Sequence, residues 1–336
     1  MDNSFFILSK QTVAISRFHI CTWDIENSNT FIELGIEFNF PENIQEIDFK
    51  FAAPFVRKGD KIKCLLNQLK LRDNSKFIFN DIIKNSSPIN DDDIHGTILD
   101  FKTRDKLAIL PANNITIEED GLIAFKLKKP KIDGNVKCYV RFLININSET
   151  LSTKKKGITK TTFLYDIRLN ENRNLPNNVA TLTQDYSLCK IKNCFCLHVI
   201  PNSFNISFVD QNKMKNVRIL EVSAFKNYLP EELKMMKEGK SMIVFNKSSD
   251  TDAYSFFTIF TKETIGSKQI LFAVGANIVC SLLFGFSTLR TSFDSNSNLW
   301  KQIPMEYWGA SIILLILIIL LFKPYKILKK TYDRRH

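Results

Sequence analysis

Two long runs without a charged side chain, near the C-terminal end, limit this chain more than any other feature of its sequence. Gln269–Leu289 reads QILFAVGANIVCSLLFGFSTL, and Tyr307–Phe322 reads YWGASIILLILIILLF. As helices rising 1.5 Å per residue, they would cover about 30 Å and about 24 Å. The first matches the hydrocarbon thickness of a bilayer. The second reaches it by recruiting Met305, or by letting Lys323 and Lys326 snorkel to the interface. The second run is apolar all round, which a surface helix of a water-soluble domain is not. A transmembrane pair is therefore expected, with helices at 269–289 and 307–322.

The flanks orient the pair. Trp300, Tyr307, Trp308 and Tyr325 stand at the ends of the runs, where interfacial aromatic residues collect. The tail 323–336 carries Lys323, Lys326, Lys329, Lys330, Arg334 and Arg335 against Asp333 alone. The loop between the runs balances Arg290 and Lys301 with Asp294 and Glu306. By the positive-inside rule the tail is cytoplasmic, and with two spans the N-terminus is too. The expected location is thus the inner (plasma) membrane, crossed twice.

Composition narrows the rest. Apolar residues make up 44% of 336, enough for a large core beside the membrane pair. The net charge is +11, and much of it sits in the tail, where anionic lipid headgroups would attract it. Elsewhere the lysines are dispersed rather than interleaved with aromatics, so no nucleic-acid partner is expected. MDNSFFILSKQTVAISRF lacks a basic segment followed by a long apolar core, so no secretory signal is expected there. Seven cysteines at irregular spacing suit a reducing compartment better than a disulfide framework.

The region before the membrane pair reads as mainly β, with short helices. In FIELGIEFNF, Ile32, Leu34, Ile36, Phe38 and Phe40 share one face, while Glu33, Glu37 and Asn39 share the other. IDFKFAAPF, NITIEED, GLIAFKLKK, VKCYVRFLININ and TTFLYDIRL alternate likewise. Cys138, Val140, Phe142, Ile144 and Ile146 form one face of the clearest strand. Asp60 stands as an N-cap before KIKCLLNQLK, whose Ile62, Leu65, Leu66 and Leu69 recur at helical spacing, and KFIFND reads as the next strand. NENRNLPNN at 170–178 reads as a linker. It divides a β-rich module at 1–170 from a second at 171–263. The second resembles 36–87 in a strand–helix–strand order with Phe-Asn near each end (Phe79-Asn80, Phe245-Asn246), which suggests duplication of a β-sandwich-like unit. Pro230, Glu231, Glu232 and Gly239 would begin and end the helix of the second copy.

Candidate chemistry is sparse. CKIKNCFCLH places Cys194, Cys196 and His198 on one strand face near Cys189. Alternate strand residues lie about 6.6 Å apart, too far for a tetrahedral metal, so buried cysteines are the expected reading. NDDDIHG groups Asp91, Asp92, Asp93 and His95 in a turn. No nucleophile elbow, phosphate loop or dinucleotide fingerprint occurs, so no catalytic, cofactor or metal residue is assigned and no enzymatic activity is expected. Lys154, Lys155 and Lys156 in STKKKGITK, with Lys323, Lys326, Lys329 and Lys330, could contact phosphate or lipid. Asn277, Ser281 and Gly285 lie at four-residue spacing in the first span, a pattern suited to helix–helix assembly.

This layout resembles bacterial anti-phage defence effectors that join a cytoplasmic β-rich sensing domain to two transmembrane helices. The resemblance covers the arrangement and rests on no diagnostic motif. It implies a sensor–effector whose β domain binds a partner protein or small ligand, and whose hairpin forms a homo-oligomer that perturbs the membrane. A constitutive scaffold with a β docking domain is the first alternative. A membrane-tethered metal-dependent hydrolase using Asp91–His95 or Cys189–His198 is the second. The topology is directly testable: reporter fusions at Ser295 and His336 should read out on opposite sides of the membrane, with His336 cytoplasmic. A cytoplasmic signal from residue 295 would refute the hairpin.

Overall fold

The alternating segments form strands, because a period of two can bury one face only in extended backbone. In chain order they are β1 (Ser4–Ser9), β2 (Ala14–Trp23), β3 (Thr30–Phe38), β4 (Glu46–Ala52), β5 (Ile62–Cys64), β6 (Ile83–Pro88), β7 (Thr97–Phe101), β8 (Leu107–Ile109), β9 (Asn113–Ile117) and β10 (Leu122–Lys128). Then follow β11 (Lys137–Ile146), β12 (Thr153–Lys156), β13 (Lys160–Leu169), β14 (Ser187–Leu188), β15 (Lys190–Ile191), β16 (Asn193–Pro201), β17 (Phe204–Val209), β18 (Met214–Ile219), β19 (Ser241–Ser249) and β20 (Tyr254–Glu263). The short helices are α1 (Leu66–Leu69), α2 (Arg72–Phe79), α3 (Asn177–Leu182) and α4 (Val222–Phe225). The computed structural model describes residues 4–24, 30–53, 56–91, 94–118, 121–132, 134, 136–146, 151–157, 159–225, 227–228, 239–263 and 267–290, and near the C-terminus 308–309, 311–313 and 315. The chain divides into two compact units, Met1–Lys155 with Thr162–Lys262, and Lys156–Thr161 with Glu263–His336.

The first unit is built on two mixed sheets. One runs in the order β17-β20-β13-β1-β4-β10-β9, and the other β18-β19-β16-β2-β3-β11-β8-β7-β6. Their facing sides share one apolar core. Phe5, Phe49, Phe51 and Phe125 of the first sheet meet Phe18, Phe38, Val140 and Phe142 of the second. Ring pairs cross the gap, Phe38 to Phe49 at 5.5 Å and Phe125 to Phe142 at 5.5 Å. The predicted core face of β11 is buried throughout.

The outer side of the second sheet's central strands is buried as well, under α1, α2, α4 and Tyr228. That face holds Leu143 and Tyr139 of β11 against Leu65, Leu69 and Phe79. Glu33 and Glu37, the polar face of β3, are also fully buried.

Several local expectations give way to tertiary pairing. Asp60 caps no helix: its carboxylate accepts from the Arg57 amide 2.8 Å away and closes a turn. Residues Ile62–Cys64 then extend along Phe142–Ile144 of β11, leaving helix only at Leu66–Leu69. KFIF is the end of helix α2, not a strand, and Asn80 stops it in the left-handed conformation at φ 51°. An apolar run this short suits either state, and here burial of Ser75 and Phe79, one turn apart, selects the helix. Phe79-Asn80 therefore ends a helix, whereas Phe245-Asn246 lies inside strand β19, so the two stretches share no local structure there. The helix expected after Pro230 falls on residues 229–238, outside the described residues.

The stretch at 170–178 is no free linker. Asn170 is buried, accepts from the Ile7 amide at 3.1 Å and donates to the Cys189 carbonyl at 3.0 Å. Helix α3 follows, and its Val179 packs with Phe6, Leu8, Ala52 and Leu122 on the outer side of the first sheet. Beyond it the chain re-enters both sheets: β16 lies parallel to β2, and β20 lies beside β13. The boundary near 170 thus divides the sequence but not the sheets.

The second unit contains α5 (Ser267–Arg290), 24 residues long. Its Ile270, Phe272, Val274 and Val279 are exposed. Among the described residues no helix is long and apolar enough to cross a membrane. At about 36 Å, α5 has the length, but its side chains at 267–269, 282–284 and 286–290 lie outside those residues. Of the expected second span, 308–309, 311–313 and 315 are helical, while the rest of 307–322 and the tail with Lys323, Lys326, Lys329 and Lys330 lie outside the described residues.

His198 gives the fold a pH dependence. It is fully buried between the sheets, its ring 5.1 Å from that of Tyr165 and its Nδ1 2.8 Å from Thr22 Oγ1. Burial lowers its pKa to about 4. Because the folded value lies below the unfolded one, the unfolded state binds the proton more tightly. Stability should be intact above about pH 6.5 and fall by on the order of 3 kcal/mol as pH drops towards 4. Urea melts across that range should show the loss, and His198→Leu should flatten it.

Candidate functional site

The outer face of the second sheet carries a polar row that strand register creates. Arg141 of β11 stands opposite Gly35 of β3, Gly35 opposite His19 of β2, His19 beside Phe195 of β16, and Phe195 opposite Lys247 of β19. Glycine is needed in the middle of that row. A Cβ at position 35 would overlap the Tyr139 hydroxyl and crowd Arg141. With the space open, Tyr139 reaches across β3, and its hydroxyl lies 2.9 Å from His19 Nδ1.

Around this crossing lies a connected hydrogen-bond network. Glu33 is fully buried and accepts from Arg141 Nε at 2.7 Å, from Arg141 Nη2, and from the Tyr228 hydroxyl at 2.7 Å. Arg141 Nη1 donates to the Tyr139 hydroxyl at 3.0 Å. Arginine can only donate, so that hydroxyl accepts from it and passes its own proton towards His19 Nδ1. Glu37 is held by Arg104 at 2.7 Å and by Ser16 Oγ at 3.0 Å, with Arg17 at 3.7 Å and Lys137 at 3.8 Å.

The electrostatics follow from burial. His19 titrates well below its ordinary value, first because it is desolvated and then because Arg141, Arg17 and Arg104 surround it. It is neutral at pH 7, with Nδ1 accepting and Nε2 left as the donor. Burial works against the charge on Arg141, yet Tyr139, Tyr228 and Glu33 outweigh it and hold the pKa well above the usual value. Burial, reinforced by Glu33, pushes the Cys21 thiol well up, so it is not a nucleophile.

Beside this network opens a cleft of about 400 Å³. Arg17, His19, Cys21, Trp23 and Arg141 form its floor, and Ile78, Phe79 and Asn80 from the end of α2 form one wall. Phe195, Leu197, Ile243 and Phe245 form another, with Asn216, Arg218 and Leu220 at the rim. No aspartate or glutamate lines it among the described residues. The volume falls within the roughly 300–1,000 Å³ of small-ligand sites.

The residues singled out from sequence lie elsewhere. Cys194, Cys196 and His198 point into the inter-sheet core, Cys196 Sγ 3.6 Å from His198 Nε2, and Cys189 lies 3.2 Å from Ser9 Oγ. Burial raises the pKa of all three thiols. Among the described residues no group of three potential ligands could hold a metal. Asp91 pairs with Lys131 at 3.8 Å and His95 is exposed, while Asp92 and Asp93 lie outside the described residues. Lys154, Lys155 and Lys156 are exposed on β12, and Lys154 sits 5.8 Å from the Phe163 ring centre. On α5, Ser281 Oγ donates to the Asn277 carbonyl at 2.9 Å, so that hydroxyl is occupied within its own helix, and Asn277 is exposed.

No protein-family model matches the chain, and no curated protein matches it in sequence. The cleft therefore has to be read from its own chemistry. Its one sequence signal is charge at equal spacing on two strands, Glu33 and Glu37 against Lys137 and Arg141. Nothing local says that the strands are neighbours.

The buried pair is testable. Arg141→Met strands the Glu33 carboxylate and should cost about 3–5 kcal/mol. Glu33→Leu added to it should recover most of that loss, as read from urea midpoints. A cost under about 1 kcal/mol for the single variant would show that the pair does not hold this face together.

Proposed function

We propose that the chain is a membrane-anchored receptor–effector without enzymatic activity. The β unit binds a small ligand in the cleft on the outer face of the second sheet, and the C-terminal helices respond in the inner membrane with both chain ends cytoplasmic. The observation that carries the reading is a cleft with a neutral imidazole, three arginines and an aromatic wall, lined among the described residues by no carboxylate and by no activated nucleophile. Such a surface binds and orients; it offers no general base poised near neutral pH.

The chain path supports coupling. Ile243 and Phe245 of β19 line the cleft, β20 follows directly, and only residues 264–266 separate Glu263 from the start of α5 at Ser267. A connection that short has little freedom to absorb movement. In the membrane, Asn277, Ser281 and Gly285 would offer a small, polar seam for self-association, and the basic residues of the tail and of β12 would meet anionic lipid. Oligomerisation would then perturb the membrane, as in the defence effectors whose layout this chain resembles. The exposed Ile270, Phe272, Val274 and Val279 of α5 suit simple anchoring equally well. A constitutive scaffold is therefore the second reading.

One pair of variants separates the two. Insertion of about ten Gly/Ser residues after Ile265 lets the ends wander roughly 17 Å. Membrane depolarisation on expression should then disappear while the β unit stays folded. Asn277→Leu should weaken depolarisation too, since an interhelical hydrogen bond is worth about 0.6–2 kcal/mol. Full activity in both variants would favour the scaffold.

A further inference from the structure

We infer that the ligand of the cleft is a nucleoside phosphate. The inference rests on the reading of the cleft as the receptor site and names the chemistry it takes. Charge gives the first part. Arg218 on β18 is exposed, lines the cleft, and has no carboxylate partner among the described residues. Arg17 lies 3.7 Å from Glu37, too far for a hydrogen bond, and its side chain is 39% exposed. Two guanidinium groups lining the cleft can therefore still donate, and planar N–H forks match phosphate oxygens.

The aromatic wall gives the second part. Phe195 and Phe245 lie with their planes 1° apart and their centres 5.9 Å apart, and His19 meets Phe195 edge-on at 5.0 Å. Rings presented on the wall of a cleft favour a flat partner. Inorganic phosphate, or a lipid headgroup without a ring, would leave that wall uncovered.

A third observation is independent of both. Trp23 is 2% exposed, lines the cleft, and its Nε1 has no hydrogen-bond partner among the described residues. A buried donor without an acceptor is costly, and a ring nitrogen or phosphate oxygen of a ligand would satisfy it. Asn80 and Asn216 add amide groups that can both donate and accept, which suits the edge of a base. At about 400 Å³ the cleft has room for a single small molecule and not for a polymer.

The test is calorimetric titration of the full chain in detergent, at low salt, with ATP, GTP, CTP and UTP, and with inorganic phosphate and adenosine as controls. At least one triphosphate should bind about tenfold or more tightly than either control. Arg218→Glu should weaken it at least tenfold with an unchanged melting temperature, because the residue is exposed. Phe195→Leu should weaken nucleotide binding by about tenfold and leave phosphate binding alone. No nucleotide binding at millimolar concentration, or equal binding by Arg218→Glu, overturns the inference. If nucleotides fail but Arg218→Glu abolishes depolarisation in cells, only the ligand class falls. If depolarisation also survives that change, the receptor reading falls with it.

Discussion

The buried ion pair between Glu33 and Arg141 is the constraint on which the first unit turns. A carboxylate and a guanidinium inside a protein are tolerable only when their remaining hydrogen-bonding capacity is met. Here Tyr139 accepts from Arg141 and Tyr228 donates to Glu33 Oε2, which meets much of it, while Glu33 Oε1 has no partner among the described residues; each tyrosine must be brought from a different part of the chain. Tyr139 arrives from the same strand as Arg141 and lies over Gly35. Tyr228 arrives from far along the sequence. The pair thus ties a strand near the N-terminus to a segment close to the last strands, and obliges the outer face of the second sheet to be covered.

That obligation explains why the cleft is where it is. A sheet with one face in water would alternate apolar and polar residues along every strand. The second sheet instead buries both faces of its central strands, one against the other sheet and one against short helices. Such a cover, to which α1, α2, α4 and Tyr228 contribute among the described residues, leaves a gap towards β18. The gap inherits the arginines and the neutral histidine of the polar row beneath it. The groups that hold the face together and the groups that line the cleft are therefore neighbours, and a ligand there would press on the same network that stabilises the unit.

Sheet order has a further consequence. β16 pairs with β2, and β1 pairs with β13, both in parallel, so strands distant in sequence are interleaved. The cleft as a whole draws its lining from early and late strands. Contact order this high makes folding slow, and β19 is hydrogen-bonded on both sides, to β16 and to β18. Under the receptor reading, β19 is the route from the cleft to β20 and on to the link at 264–266.

The sequence by itself determined the strands, because alternation is a property of adjacent residues. It marked the core faces of β3 and β11 correctly, and it set two uncharged runs at the C-terminal end. It misled where a short apolar segment suits either state, at Ile62–Cys64 and at Phe77–Phe79, because the choice depends on which edge or groove receives it. Phe79-Asn80 and Phe245-Asn246, alike in sequence, take different local structures, one at the end of a helix and one inside a strand. Tertiary structure alone decided that Glu33 and Glu37 face cations rather than water, and that Asn170 is a buried tie rather than a hinge. It alone brought Arg17, Arg141 and Arg218 to one cleft. The contacts that decide such facts, Glu37 to Arg104, Glu33 to Arg141 and Asn170 to Ile7, join residues 67, 108 and 163 positions apart, and contact between distant segments leaves no periodic mark in the sequence of either one.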